Sequence, residues 1–278
     1  MRVVVTGGSG FFGKRLLPML KGHEVLAISR ESGHDLNDAA TWKPALAAFK
    51  PEACVYLAWE GLPDYSPERN AQNVAQHKNF LRAAAQEGAK RFVSAGSCWE
   101  YGDRQGQMRE DAAPVNPGAF AQAKLQVVDL LESIVWATGA TYGWGRVFFS
   151  YGPGQRPTSL IPGAYAAAKK GEHLALKSPN ALQDFIHVDD VARALKALLE
   201  TATESGVYNI GSGEPTPVHV VADMVAAASK LKPQVREVEM RNGGGFWADI
   251  GKLTKATGWK PEIGLAAGVK STLKDLAP

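Results

Sequence analysis

The residues with the most legible chemistry stand near the start of the chain, where Thr6-Gly7-Gly8-Ser9-Gly10-Phe11-Phe12-Gly13 follows the apolar run Val3-Val4-Val5. Glycines at 7, 10 and 13, after a strand and opening a helical pattern, are the setting of a dinucleotide-binding turn. In such a turn the first glycine makes the bend, the second lets backbone approach a pyrophosphate, and the third lets helix and strand pack closely. Free N–H groups at the helix N-terminus then meet the phosphates, with Ser9, Phe11 and Phe12 alongside. The plain alternative is a tight turn that holds nothing.

The next apolar run ends Ile28-Ser29-Arg30, at the point where an NAD-binding turn carries a carboxylate for the ribose hydroxyls. A carboxylate there repels a 2′-phosphate, whereas a guanidinium binds one in fork geometry. NADP(H) is therefore expected over NAD(H), the alternative being that Arg30 is an ordinary surface charge. Asp35-Leu36 is expected to reach the adenine from the following loop.

Positioning these groups requires a parallel sheet. Short apolar, β-branched runs at Val3 to Thr6, Glu24 to Ser29, Ala53 to Ala58, Arg91 to Ser94 and Thr141 to Phe149 alternate with helical patterns at Gly13 to Leu20, Asn70 to Glu87 and Ala119 to Thr138. That alternation predicts βαβ units. After Tyr151 the texture turns Gly- and Pro-rich, which predicts a smaller lobe. The expected class is α/β, a Rossmann-type doubly wound parallel sheet with a smaller mixed C-terminal lobe for substrate. Residues 1–150 would form the dinucleotide domain, with about 182–203 returning to it, and 151–181 and 204–278 would form the lobe.

The 278 residues, 45% of them hydrophobic, suffice to bury a substantial core. A net charge of +3, without a basic run, argues against nucleic acid as a partner. Cys54 and Cys98 show neither Cys-x-x-Cys spacing nor a neighbouring His cluster, so no disulfide framework or metal site is expected and a reducing compartment fits. The start lacks the pattern of a signal peptide, and no apolar run reaches the roughly 18 residues of a membrane span. A soluble, cytoplasmic protein with no membrane partner is expected.

Further elements follow in order: Tyr56-Leu57-Ala58, Asn73 to Asn79, Ser94-Ala95-Gly96-Ser97, Tyr151-Gly152-Pro153-Gly154-Gln155, Asp184-Phe185-Ile186-His187-Val188-Asp189-Asp190 and Tyr208-Asn209-Ile210-Gly211-Ser212-Gly213. With the glycine turn, this series resembles the extended short-chain dehydrogenase/reductase family of nucleotide-sugar epimerases, dehydratases and 4-ketoreductases, over nearly the whole chain. The resemblance implies a catalytic Ser or Thr, and a Tyr four residues before a Lys. The Tyr exchanges a proton with the substrate oxygen; the Lys holds the nicotinamide ribose and lowers the Tyr pKa. Ser97 and Lys124 match, but the Tyr position is Phe120. Spacing of four keeps Phe120 and Lys124 on one helical face; only the acidic hydroxyl is missing. Three readings stay open: a Tyr→Phe exchange made to trap a bound substrate, a natural variant that takes its proton from Tyr101 or water, and a member that only binds ligands.

The resemblance also implies cofactor contacts at Ser29, Leu57, Ala58, Trp59, Asn73, Ser94, Ala95, Phe148 and Phe149, and substrate contacts at Glu60, Ser97, Cys98, Trp99, Phe120, Ser150, Gln155, Arg156 and Trp247. Arg146, Arg156, Arg193 and Lys196 are cationic candidates for a nucleoside diphosphate, and Asn79 a further polar one. Dehydratases of the family carry Asp-Glu directly after the Ser/Thr; here Cys98-Trp99 stands there and Glu100 comes one position late, which disfavours dehydration. The leading expectation is NADPH-dependent reduction of a nucleotide-activated 4-keto-6-deoxy sugar. The alternatives are a 4-epimerase with bound NAD, and a non-catalytic NADP(H)-binding sensor or scaffold. Phe80, Val127 and Leu131, if they face outward, would pair two subunits into a homodimer through a four-helix bundle.

Overall fold

The structure, a computed structural model, describes residues 1–176, 178–201, 204–229, 234–237 and 244–277. Strands β1 (Arg2–Thr6), β2 (Glu24–Ile28), β3 (Ala53–Tyr56), β4 (Arg91–Ser97), β6 (Thr141–Val147) and β10 (Gly206–Ile210) form one parallel sheet in the order β10-β6-β4-β3-β1-β2. Helices α1 (Gly13–Leu16), α2 (Ala39–Phe49), α3 (Pro67–Gln86), α4 (Ala119–Thr138) and α6 (Val188–Glu200) connect and cover it. The strand order turns about β1, the doubly wound arrangement in which ligands lie across the C-terminal strand ends.

The second sheet is mixed. β5 (Gly106–Met108), β9 (Leu182–His187), β11 (Pro215–Pro217) and β13 (Gly245–Ala248) run in the order β11-β9-β13-β5, and β7 (Phe149–Tyr151) joins it through β9. Around it pack α5 (Leu160–Lys170), α7 (Val218–Ser229) and α9 (Leu265–Leu276), whereas α8 (Gly251–Thr257) lies against β10 of the large sheet, and β8 (His173–Leu176) pairs with β12 (Gln234–Glu237). The Rossmann-type class expected from the sequence is what the structure shows.

Several details differ from expectation for identifiable reasons. The run from Thr141 to Phe149 is two strands: Phe148 N–H donates to Ile210 O at 2.9 Å, and the break carries the chain from one sheet to the other. Residues 206–210, expected in the smaller lobe, pair with β6 in the large sheet, and Leu253 and Trp259 join that sheet's core. Residues 177, 202–203, 230–233, 238–243 and 278 of the expected ranges lie outside those described. Helix α2 had no sequence expectation, since Pro44 sits inside it; Asp38 caps it by accepting from Ala40 N–H at 3.1 Å, and Trp42 and Leu46 bury its inner face.

The apolar face proposed for pairing two subunits is corrected by the packing. Phe80, Val127 and Leu131 are each 0% exposed, inside the core that α3 and α4 build against the sheet. The outward side of α4 is instead polar around Gln122, Gln126, Asp129 and Ser133, with Trp136 exposed among them.

Candidate active site

The glycine turn has the geometry of a phosphate cradle. Gly7 has φ +70°, and a Cβ there would lie 2.6 Å from Ala58 N; only glycine combines that left-handed backbone with so close a neighbour. At Gly13 a Cβ would meet Gly7 O at 2.2 Å, so the third glycine lets helix and turn touch. At Gly10 a Cβ would meet only Gly7 O, at 3.1 Å, and otherwise open space, which leaves the approach to the backbone N–H groups free. This cradle, closed behind Gly7 and Gly13 and open before Gly10, fits a dinucleotide.

At the end of β2, Ser29 caps a short 3₁₀ turn over Arg30–Ser32, accepting from Ser32 N–H at 3.2 Å. Arg30 is exposed and enters no ion pair among the described residues, while its charge bears on Asp35. Asp35 accepts from Asn37 N–H at 2.9 Å, which, with the Asn37 amide, keeps its carboxyl below the ordinary range. Across this edge Gln76 donates to Glu60 Oε2 at 3.1 Å and to Asn37 Oδ1 at 2.8 Å. Asn73 spends its amide on the Glu60 backbone, accepting at 2.7 Å and donating at 3.0 Å. It therefore holds the turn that carries Leu57, Ala58 and Trp59 rather than offering free donors. Ser94 likewise turns inward, donating to Tyr56 O at 2.7 Å.

Beside the end of β4, Lys124, 6% exposed, rises from α4, donates to Ala95 O at 3.0 Å and stands 3.7 Å from the centre of the Trp59 ring. Burial lowers its pKa to about 7, with the Glu100 charge opposing. The adjoining His77 is buried beside Trp59, and burial lowers it to about 3, so that ring is neutral. Phe120 sits one turn before Lys124, with its ring in edge contact with Trp59 at 5.4 Å, Tyr65 at 5.3 Å and Trp99 at 5.9 Å.

Ser97 ends β4 and caps the 3₁₀ turn Cys98–Tyr101. Glu100 reaches back to accept from Ser97 N–H at 2.7 Å, and also binds Arg146 Nε at 2.7 Å and Trp144 Nε1 at 3.0 Å. Glu100 and Arg146 are 0% and 5% exposed. Burial pushes the Glu100 carboxyl up, against the pull of Arg146 and its donors. This pair sits beneath Ser97, sealed from solvent.

Several expected contacts are thereby corrected. Arg146 is consumed by Glu100, Arg193 by Asp190 and Glu262, and Lys196 by Glu200, which leaves the exposed Arg156 as the candidate for a diphosphate. Cys98 is 3% exposed and Phe148 2% exposed, both in the core beneath the second sheet. Tyr101 is excluded as the replacement acid: it is 0% exposed, donates to Asn209 Oδ1 at 2.6 Å, and burial pushes it up to about 12. Trp99 faces the site, Phe149 packs on Phe185 and Phe246, Gln155 donates to Ser150 O at 3.1 Å, and Trp247 lies half-buried on β13. Asn79 lies exposed on α3.

Sequence reasoning weighed Glu100 only as an acid one position late for a dehydratase, and passed over Tyr65. Glu100 had a legible signal, the Ser-x-x-Glu spacing of a capping box. Tyr65, on the loop before α3, had none, because only the fold brings it to Phe120.

Fold and site together define a dinucleotide-binding enzyme scaffold of the short-chain dehydrogenase/reductase type. A match to the NAD dependent epimerase/dehydratase family spans residues 3–211, and the chain belongs to that family. Among its relatives, GDP-6-deoxy-D-mannose reductase of Pseudomonas aeruginosa is 29% identical, covering 99% of this chain and 96% of that protein. The dTDP-6-deoxy-L-talose 4-dehydrogenase (NAD(+)) of Aggregatibacter actinomycetemcomitans is 24% identical over 84% of this chain and 92% of its own. Among solved structures, MoeE5 in complex with UDP-glucuronic acid and NAD superposes with TM-score 0.86 at 29% identity, covering 99% of both chains. RMD from Pseudomonas aeruginosa complexed with NADPH superposes with TM-score 0.85 at 26% identity, over 99% of this chain and 98% of that one. No helix among the described residues is long and apolar enough to cross a membrane.

Proposed function

We propose that this chain is an NADPH-dependent reductase of the keto group of a nucleotide-activated 4-keto-6-deoxy sugar. The observation that carries the reading is Lys124, a buried ammonium held at Ala95 beneath Trp59 beside the end of β4. Its place, beyond the glycine cradle and next to Ser97, is that of a group that holds the nicotinamide ribose. The near full-length likeness to a GDP-6-deoxy-D-mannose reductase supports the substrate class. Arg30, exposed beside Ser29 and in no ion pair among the described residues, supports NADPH over NADH, because a guanidinium there complements a 2′-phosphate.

When bound, the reduced nicotinamide supplies hydride to a carbonyl carbon. The turn built on Gly7, Gly10 and Gly13 would offer the pyrophosphate backbone N–H groups other than that of Gly10, which donates to Gly7 O at 3.0 Å, and Asn73 fixes the turn that carries Trp59. Ser97 donates to the carbonyl oxygen and polarises it. Phe120, Trp59 and Trp99 form an apolar wall that excludes water from the reacting carbon and presents ring faces to the sugar. Arg156 receives the diphosphate where the two lobes meet, with residues 1–150 holding the dinucleotide and the smaller lobe the sugar nucleotide.

The missing hydroxyl at Phe120 favours a second reading, a protein that binds NADPH and turns nothing over. The two separate in one assay: the chain and its Phe120→Tyr form are mixed with NADPH and a panel of nucleoside-diphosphate 4-keto sugars, and NADPH absorbance is followed. Consumption by either form supports the reductase. NADPH binding without consumption by either leaves the sensor.

A further inference from the structure

We infer that Tyr65 is the proton donor that replaces the absent tyrosine at position 120; the inference rests on the reductase reading above. A carbonyl that accepts hydride must gain a proton on oxygen, and Phe120 has none to give. The acids and hydroxyls around the Phe120 ring are few, and burial, a partner or another task holds back the others. Tyr101 is locked to Asn209. Tyr56 is 1% exposed behind His77. Glu100 is sealed against Arg146 and Trp144. Ser97 Oγ accepts from Trp99 N–H at 3.2 Å, and in the reading above its own proton polarises the carbonyl without leaving the serine.

Tyr65 is the exception. Its half-buried ring meets Phe120 edge-on at 5.3 Å and lies 5.4 Å from Trp99, and its hydroxyl makes no hydrogen bond to the described residues. The main chain around it is pinned: Asp64 N–H donates to Gly61 O at 2.8 Å, Ser66 N–H to Asp64 Oδ1 at 2.9 Å, and Asn70 Nδ2 to Tyr65 O at 3.0 Å. Ser66 in turn caps α3 by accepting from Arg69 N–H at 3.3 Å. A phenol on a fixed backbone, held between two aromatic rings and with an unspent hydroxyl, is prepared for a ligand rather than for packing.

In the step, hydride from the reduced nicotinamide forms the new C–H bond, and the π pair of the carbonyl moves onto its oxygen. The O–H bond of Tyr65 breaks and its proton joins that oxygen, leaving a sugar hydroxyl, oxidised nicotinamide and a tyrosinate. Water returns the proton to Tyr65, whose ring is half-buried and borders solvent.

The test compares the natural chain, Tyr65→Phe, Phe120→Tyr and the double variant for NADPH affinity and turnover. The expected result is a fall in kcat of about 100- to 1,000-fold for Tyr65→Phe, with NADPH affinity kept within about twofold. Turnover returns in Tyr65→Phe/Phe120→Tyr, which a purely structural role for Tyr65 would not produce. Undiminished turnover in Tyr65→Phe overturns the inference and leaves the reductase reading intact, as does an inactive natural chain that Phe120→Tyr activates. Inactivity of all four forms with NADPH bound removes the reductase reading, and the inference with it.

Discussion

The floor of the site and its rim are built on opposite principles. In the floor, Glu100, Arg146, Trp144 and Lys124 are buried and joined at 2.7–3.1 Å to one another or to backbone. At the rim, Arg30, Arg156 and the Tyr65 hydroxyl make no such commitments, and Trp99 is 44% exposed. Buried polar groups must be satisfied within the protein because water cannot reach them. Groups at the rim can keep their bonding capacity for a ligand. The floor therefore governs stability and the rim governs function, and substitutions should sort the same way.

The largest effect is expected in the floor. Glu100→Gln strands the Arg146 charge in the core and should cost about 3–5 kcal/mol, read as a lower denaturation midpoint in urea. A midpoint like that of the natural chain would show that the pair is worth little. The glycine turn then sets both behaviours within one motif. Gly13→Ala drives a methyl against Gly7 O and should cost about 1–3 kcal/mol. Gly10→Ala meets only Gly7 O, at 3.1 Å, and should cost less, about 1 kcal/mol or under, yet weaken NADPH at least about tenfold by filling the approach to the pyrophosphate. Equal loss of stability in both would erase the distinction.

Lys124 ties stability to pH. Its folded pKa is about 7, against the ordinary 10.5, so between those values the unfolded chain holds the extra proton and stability rises with pH. The slope is at most about 1.4 kcal/mol per pH unit. Lys124→Met should remove that rise between pH 7 and pH 9, measured as the difference in urea midpoints at each pH. Identical pH profiles would show that the ammonium is not desolvated. The smallest effect belongs to the rim: Arg30→Glu should leave the midpoint unchanged and move the NADPH:NADH affinity ratio toward NADH by about tenfold or more. An unaltered ratio would mean that Arg30 never meets the 2′-phosphate.

The sequence by itself determined the alternation of strands and helices, the glycine turn, the pairing of Phe120 with Lys124 on one helical face, and the place of Ser97. These are local features, set by periodicity of 2 or 3.6 and by spacings of a few residues. It also held the Ser97–Glu100 capping box, legible but carrying no hint that its carboxylate would meet an arginine 46 residues on. Tertiary structure decided the rest. It buried Phe80, Val127 and Leu131, which a helical pattern cannot assign to an inward or outward side without knowing what covers it. It consumed Arg146, Arg193 and Lys196 in ion pairs, and it split the run from Thr141 to Phe149 between two sheets. It set Tyr65 against Phe120, 55 positions away. Which side chain is spent and which is free depends on long-range neighbours, and these exist only once the chain has folded.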